Sequence, residues 1–253
     1  MKKLSALVIV FALMFAIGSS YAQPQLTFHI KGAYNLPLPD LKGDLNDSAD
    51  NINTLGIKNG FGFGADGKYY LGKKRNVGIT LDLMYNMFMN NEDTVNNLGR
   101  DVKNKLNAFT VGLGVEYAFM PKGKVNPFIG VEFTGHFFSG SFEFTGLDTA
   151  GNSTTQTYDM KSASRFGAAL GFGLDFMLSK GIGVVVGAKY HLANLIGKEA
   201  PDSTTTLNAN EYMLIDKEYT VGTTTISSKN ISYIQPYLGL SIYLNQPKKK
   251  AKK

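Results

Sequence analysis

The sequence predicts an all-β protein, an eight-stranded antiparallel up-and-down transmembrane β-barrel. Three observations lead to this prediction. Segments in which apolar and polar residues alternate recur along the chain, each segment can cross a bilayer as a tilted strand of about 9–11 residues, and the connections between them alternate between short and long. Alternation with a period of two gives each strand one apolar face and one polar face.

The N-terminal residues have the features of a secretory signal peptide. A pair of lysines precedes an apolar run of 14 residues at positions 4–17, and Ser20 and Ala22 are the small residues expected before a signal-peptidase site. We therefore expect residues 1–22 to be removed by cleavage after Ala22. The apolar run is shorter than the ~20 residues of a membrane-spanning helix, although an uncleaved N-terminal anchor stays open as an alternative.

The net charge of +6 comes from the two ends of the chain. Two lysines lie in the leader and five more lie within residues 248–253, so the remainder carries 19 basic and 20 acidic residues. A near-neutral body gives no support to a nucleic-acid-binding face. We expect a barrel over residues 23–245 and a flexible, lysine-rich periplasmic tail over residues 246–253. Because the chain has no cysteine, disulfides, thiolate metal sites and cysteine nucleophiles are excluded.

Each predicted strand has the same two-faced pattern. From Val77 to Met87, apolar side chains occupy every second position, and all but one of the intervening positions are small or polar. The later strands repeat this pattern with glycine, alanine, threonine and charged residues on the second face. In order, the predicted strands cover residues 26–36, 61–71, 77–88, 109–119, 125–137, 166–178, 182–192 and 231–244.

The lengths of the connections predict how the strands are arranged. A barrel of eight strands whose two ends lie on one side of the membrane needs three turns on that side and four loops on the other. Bacterial outer-membrane barrels have short periplasmic turns and long outer loops. The chain has three short connections, at residues 72–76, 120–124 and 179–181, and four long ones, at residues 37–60, 89–108, 139–165 and 193–230.

Two soluble folds share part of this pattern. A lipocalin-like barrel also has eight alternating strands, but it places apolar residues inside, and the second face here would make a poor hydrophobic core. A β-sandwich does not explain why aromatic residues lie near strand ends, where a membrane barrel carries its interfacial girdle. The predicted girdle residues are Tyr69, Tyr70, Tyr117, Phe119, Phe128 and Tyr243.

Charged residues of the strands fall on the polar face, which we expect to line the lumen. Five carboxylates and three lysines in a narrow barrel should pair with one another, because an unpaired buried charge is costly. The expected result is a polar network that plugs the lumen, and the alternative is a gate or narrow ion path. The predicted network consists of Lys31, Asp66, Lys68, Asp82, Glu116, Glu132, Asp175 and Lys189.

The chain offers weak candidates for chemistry. His29, His136 and His191 all fall on the inner face, but His29 is expected nearer the turns than the other two, so a zinc site is not implied. Residues 190–194 resemble the His-x-Ser-Asn stretch of lipid A deacylases, but Ala193 replaces the nucleophilic serine. We expect no catalytic residues, no metal and no cofactor.

The last predicted strand resembles the C-terminal assembly signal of outer-membrane proteins. The matching residues are Tyr237, Gly239, Ile242 and Leu244, although nine residues follow them where the family often ends on an aromatic residue. The resemblance implies recognition by the barrel assembly machinery. The stretches 126–131 and 235–240 resemble each other and the strand openings of small OmpA-, OmpX- and OmpW-like barrels, which implies a location in the bacterial outer membrane.

The expected function is a structural or surface-interaction role. Expected partners are the outer-membrane lipid, the assembly machinery and a surface ligand bound by the long outer loops. The alternative is a narrow porin-like channel or a conduit for small hydrophobic molecules, and the third candidate is a lipid-modifying enzyme. The short turns carry only basic charges, at Lys73, Lys74, Arg75, Lys122, Lys124 and Lys180. For these we expect either contact with anionic phospholipid or plain solvation.

Overall fold

The computed structural model describes five ranges of the chain, residues 24–43, 55–95, 100–147, 151–201 and 206–244. The signal peptide and the lysine-rich tail expected from the sequence lie outside these described residues. Within the five ranges, no helix is long and apolar enough to cross a membrane.

Long antiparallel strands dominate the described chain, and three very short strands lie within its last long connection. The strands are β1 (Leu26–Pro37), β2 (Asn59–Leu71), β3 (Val77–Val95), β4 (Arg100–Ala118), β5 (Val125–Leu147), β6 (Ser153–Met177), β7 (Ile182–Ile196), β8 (Glu211–Tyr212), β9 (Tyr219–Val221), β10 (Thr224–Ile226) and β11 (Ser232–Leu244).

The eight long strands form a closed ring. Each of β1 to β6 pairs antiparallel with the next strand in sequence, and β11 pairs antiparallel with both β7 and β1. At the final seam Leu26 lies opposite Leu244. The predicted eight-stranded antiparallel barrel is therefore confirmed. We call the end of the barrel with the three short connections the turn end, and the opposite end the loop end.

Four strands are at least seven residues longer than the sequence predicted. Strands β3 and β4 pair from Val77 to Val95, and β5 and β6 pair outward as far as Leu147 and Ser153. The predicted ends near Phe88 and Phe137 mark where the alternation typical of a lipid-facing strand stops. Backbone pairing continues beyond that point because hydrogen bonding between strands does not require an apolar outer face.

The outward face of the ring is an apolar belt. Ile30, Leu113 and Phe172 are 60–62% exposed on the isolated chain, and every long strand contributes large apolar residues to this surface. Contiguous apolar surface of this extent is rare on soluble monomers but is expected where lipid covers the strands. On β4 the belt ends at Phe109, beyond which outward residues such as Lys105 and Lys103 are polar.

The aromatic girdle differs in part from the prediction. Tyr69, Tyr117 and Phe119 face outward, and the last two rings pack edge to face at 5.1 Å. Tyr70, Phe128 and Tyr243 are buried inside the barrel, so their assignment to the girdle was wrong. The assignment failed because side chains alternate between the two faces of a strand, so that position and not residue type decides which aromatic residues face outward. The girdle at the loop end, which the sequence analysis missed, contains cross-strand ring pairs Tyr34–Phe61, Phe63–Tyr85, Phe109–Phe137 and Phe133–Phe166.

Candidate functional site in the barrel interior

Each strand directs every second side chain inward. These inward side chains form three layers along the barrel axis. On β1, Thr27, His29 and Lys31 follow one another from the turn end, and Asn35 lies nearer the loop end. Neighbouring strands match this order by register, with His29 opposite Asp66 and Lys31 opposite Gly64. The layers are charged near the turn end, uncharged and polar in the middle, and apolar near the loop end.

One part of the charged layer joins the first three strands. Lys31 Nζ lies 2.6 Å from one oxygen of Asp66 and 3.0 Å from Oδ1 of Asp82. His29 Nδ1 lies 2.9 Å from the other oxygen of Asp66. Each of these side chains is at least 95% buried. The lysine therefore bridges two carboxylates that would repel one another in its absence.

A second lysine reaches across the lumen from the opposite side of the ring. Lys189 on β7 donates to Asp82 on β3 and, at 2.7 and 2.8 Å, to both oxygens of Glu132 on β5. Gly112 on β4 leaves the space for this carboxylate, since a Cβ at that position would lie 3.0 Å from Glu132 Oε2. Lys189 thus ties three strands together through the middle of the lumen.

The remaining charges lie nearer the turn end. Lys68 Nζ is 2.6 Å from Glu116 Oε2, and its ammonium lies 3.7 Å from the centre of the Phe128 ring. Tyr70 donates a 2.7 Å hydrogen bond to the other oxygen of Glu116. A cation over an aromatic face is attracted by the ring quadrupole, most strongly where water is excluded.

Asp175 completes the charged layer with hydroxyl donors. Tyr243 and Ser241, both on β11, donate to its Oδ1 at 2.6 and 2.8 Å. His29 Nε2 lies 3.4 Å from its Oδ2. The structure therefore places all eight residues of the predicted network inside the barrel, each near an opposite charge or donor. It also adds Tyr70 and Tyr243, which share the inner face of their strands with Lys68 and Ser241, and it joins His29, already expected on the inner face, to the network.

Little space is left within this layer. A cavity of about 20 Å³ lies among the charged side chains, bounded by the network and by Phe128 and Tyr237. A single water needs roughly 10–15 Å³ measured in this way. The cavity can therefore hold about one water molecule.

The middle layer is a chain of uncharged hydrogen bonds. Gln235 on β11 donates 2.7 Å bonds to the side-chain oxygens of both Asn35 and Asn86. Asn86 in turn donates to Thr110, whose hydroxyl contacts Nδ1 of His136 at 3.0 Å. These amides and hydroxyls satisfy one another, as buried polar groups require.

The three histidines do not converge. His136 and His191 have ring centres 6.1 Å apart, and His191 stacks on Tyr233 at 4.5 Å. His29 belongs instead to the charged layer. Across the described residues, no group of three or more potential ligands is arranged to hold a metal ion. Ala193 replaces the nucleophilic serine in the stretch that resembles lipid A deacylases. It is fully buried and has no hydroxyl.

The layer at the loop end is a hydrophobic core to which the connections contribute. Phe88, Phe138 and Tyr233 point inward from the strands, and the first two are at most 2% exposed. Leu41 and Ile57 from the β1–β2 connection pack into the same cluster, as do Leu214 and Ile231 from the β7–β11 connection. The barrel mouth is therefore covered by folded loop segments rather than open to solvent.

A buried ion pair holds the last connection in place. Arg165 on β6 is fully buried, and its Nε and Nη2 donate to the two oxygens of Asp216 at 2.9 and 3.0 Å. Its Nη2 also donates to the carbonyl of Leu214, and Asn194 donates to Asp216 at 2.8 Å. Planar guanidinium and carboxylate groups match in this two-bond geometry. The sequence pattern does not predict this pair, because the alternation begins after Arg165 and leaves this residue in a predicted loop.

Two further titratable groups beside this core respond to burial. Tyr212 packs against the apolar cluster, and burial raises the pKa of its hydroxyl to about 12. Burial lowers the pKa of the Lys229 ammonium, although Asp216 and Asp40 act in the opposite direction. Both residues lie in the connection between β7 and β11, outside the lipid-covered strands. Both shifts favour the uncharged form, as expected in a water-poor layer.

The residues of the predicted assembly signal lie on both faces of β11. Ile242 and Leu244 face outward and are 41% and 43% exposed, whereas Tyr237 is buried with its ring 5.1 Å from Lys31 Nζ. Gly239 faces the lumen against the side chain of Lys31. Recognition of this strand by the assembly machinery stays a prediction.

Comparison with known proteins assigns the family. A family model for the outer membrane protein beta-barrel domain matches residues 7–214. The chain belongs to this family. The protein is therefore one of the bacterial outer membrane, and by the rule for such barrels its turn end is periplasmic and its loop end faces the cell exterior.

Three solved structures illustrate the likeness. Neisserial surface protein A is 12% identical, with a TM-score of 0.46 over 87% of this chain and 97% of that chain. OprG from Pseudomonas aeruginosa is 14% identical, with a TM-score of 0.41 over 88% and 98%. Ail of Yersinia pestis, solved with the heparin analogue sucrose octasulfate, is 11% identical, with a TM-score of 0.36 over 87% and 98%. No curated protein matches the chain.

Proposed function

We propose that this protein is a closed, non-conducting outer-membrane barrel whose role is to present a structured polar surface outside the cell. The observation that carries the proposal is the double closure of the lumen. Salt bridges through Lys189 cross it near the periplasmic end, and an apolar core that includes Leu214 covers it at the outer end. A barrel of eight strands has an interior that side chains can just fill.

The charged layer supports this role over the alternatives. An ion would have to displace pairs such as Lys189 with Glu132 or Lys31 with Asp66, and separating a buried pair is strongly unfavourable. An apolar molecule would have to enter the same layer, where it would bury charges without replacing their partners. Neither a hydrated ion nor a hydrophobic molecule therefore has a favourable route through the barrel.

The outer surface supports an interaction role. Strands β5 and β6 remain paired to Leu147 and Ser153, well beyond the lipid-facing Phe137. Residues 153–157 of β6 are exposed, and within the described chain their second edge has no strand partner, since β8 pairs only with Asp159 and Met160. Such an edge presents backbone donors and acceptors to which an extended segment of a ligand can add.

Single-channel recording tests the closure. The refolded chain is inserted into a planar bilayer beside Glu132→Ala, which removes one partner of Lys189, and Lys105→Ala, which alters an exposed outer lysine. We expect no steady openings from the unaltered protein or from Lys105→Ala after insertion is verified. Steady openings of the unaltered protein that change in Glu132→Ala alone would overturn the proposal and assign the protein to transport.

Amide hydrogen exchange tests the structured outer surface. We expect the outer parts of β5 and β6, residues 138–147 and 153–163, to exchange much more slowly than the connection at residues 206–210. Their backbone groups are paired in the ladder, whereas the connection has few such bonds. Exchange at the rate of an unfolded chain throughout both strand segments would contradict the surface role.

A further inference from the structure

The periplasmic end of the barrel has a continuous positive rim. Its three turns, residues 72–76, 120–124 and 179–181, contain six basic residues and no acidic residue. We call the six the cationic rim. Four of them, Lys73, Lys74, Lys122 and Lys180, are exposed. The rim consists of Lys73, Lys74, Arg75, Lys122, Lys124 and Lys180.

The rim is distributed around the barrel. The three turns join β2 to β3, β4 to β5 and β6 to β7, so each lies between a different pair of neighbouring strands in the ring. The fourth strand junction on this side is the seam at Leu244, and five lysines follow it in the sequence. A protein partner would need basic residues on one side, whereas a surrounding lipid shell meets them on every side.

The residues that flank the three turns in the sequence indicate how deep the cationic rim lies in the membrane. Leu71 and Val77 flank the first turn, Phe119 precedes the second, and Leu178 and Ile182 flank the third; all five are exposed on the lipid-facing surface. Basic residues two to five positions from these side chains must lie close to the level where acyl chains meet headgroups. Long lysine side chains can extend from such positions to reach phosphates.

Two described acidic residues near this end of the barrel have partners inside the lumen. Glu116 is paired with Lys68, and Asp175 accepts from Tyr243. The outer end is different, because its basic residues are mixed with acids, for example Lys105 with Glu143 at 3.5 Å. The two ends of the barrel therefore differ in the charge of their surfaces, and the net charge of the chain does not explain this difference.

We infer that the cationic rim binds the phosphates of anionic phospholipids in the inner leaflet and enriches them around the barrel over zwitterionic lipids. Basic residues at a membrane surface attract anionic headgroups, and the attraction is lost within a Debye length or on addition of salt. The ligand class is a phosphodiester lipid of net negative charge, such as phosphatidylglycerol. This inference concerns the periplasmic face and does not depend on the proposed outer surface.

Lipid retention measures the effect directly. The refolded full chain is placed in nanodiscs of equal parts phosphatidylglycerol and phosphatidylcholine, and the lipids that stay bound after release into mild detergent are counted by native mass spectrometry. The rim variant is Lys73→Gln/Lys74→Gln/Lys122→Gln. The matched control, Lys103→Gln/Lys161→Gln/Lys217→Gln, removes the same charge from exposed lysines at the outer end.

We expect the unaltered protein and the control to retain phosphatidylglycerol in preference to phosphatidylcholine. In the rim variant the ratio of the two retained lipids should fall by about tenfold. Raising the salt from 0.05 to about 0.5 M should abolish the preference of the unaltered protein. Equal retention of both lipids by the unaltered protein would overturn the inference, as would equal losses in the rim variant and the control. Binding to peptidoglycan sacculi without any lipid preference would also overturn it, in favour of a cell-wall partner.

Discussion

The periplasmic and outer halves of the barrel interior exclude water by different chemistry. In the periplasmic half, strand side chains alone close the lumen, through charges such as those of Lys31 and Lys189. In the outer half, strand residues such as Phe88 meet apolar residues such as Leu214 that arrive from the connections. The first closure depends on strand register, whereas the second depends on where the loops fold.

This difference separates what holds the barrel together from what covers it. The charged layer joins β1, β2, β3, β5 and β7 through two lysines, so its loss should weaken the whole ring. The outer core joins loops to strands, and its loss should open the mouth while the ring stays closed. Variants in the two halves should therefore differ in which part of the protein responds.

The largest effect is expected from Lys189→Met. The change leaves Asp82 and Glu132 buried with one cation fewer, and breaking a buried pair by removing one partner costs about 3–5 kcal/mol. Urea unfolding of the refolded barrel, followed by circular dichroism, should show this loss in the global transition. A free energy of unfolding within ~0.5 kcal/mol of the unaltered protein would show that the charged layer does not hold the ring together.

Arg165→Met should produce a loss of similar size that is local. Asp216 would stay buried without its guanidinium, at a cost of about 3–5 kcal/mol. Limited proteolysis should show cleavage between residues 197 and 231 increased by about a hundredfold or more, with little change in global unfolding. Arg165→Met/Asp216→Leu, which removes both charges, should recover much of the resistance. Unchanged cleavage in the single variant would refute the tethering role of this pair.

Leu214→Ala tests the apolar part of the outer half. Removing a buried leucine side chain costs about 2–5 kcal/mol, depending on how far the site can collapse. Cleavage of the same connection should rise while the ring unfolds as before. Leu207→Ala, in an exposed position of that connection, is the matched control and should have little effect. A fall in global stability instead would mean that the two halves are not independent.

The smallest effect is expected from Lys105→Met. Its ion pair with Glu143 spans 3.5 Å at the outer surface, and the lysine side chain is 50% exposed. Exposed pairs contribute roughly 0–1 kcal/mol, so the unfolding free energy should change by less than ~0.5 kcal/mol. A loss comparable with that of Lys189→Met would show that the comparison between buried and surface charges fails in this protein.

The periplasmic half could be predicted from the sequence, because a period of two determines which residues face inward. Lys31, Asp66 and Lys68 share one face of their strands by simple counting. The same counting places Tyr70 inside with Lys68, and the girdle assignment failed because it gave more weight to residue type than to position. The expected assembly signal and signal peptide depend on cellular machinery, so the fold leaves them as predictions.

The outer half could not be predicted in this way. Arg165 and Asp216 are 51 residues apart, and no periodic pattern links a strand residue to a residue of an irregular connection. Similarly, Leu41 and Leu214 enter the core from loops whose paths depend on the packing itself. The extra length of β5 and β6 was missed because strands outside the lipid no longer need an apolar outer face.

The seam between β1 and β11 has a consequence for how the chain folds. The last strand supplies the hydroxyls of Ser241 and Tyr243 that bind Asp175, and Gln235, which joins Asn35 to Asn86. Until that strand arrives, an open sheet of seven strands would carry incompletely paired polar groups into the bilayer. Edge capture and completion of the interior therefore depend on the same strand, and we expect insertion to be cooperative.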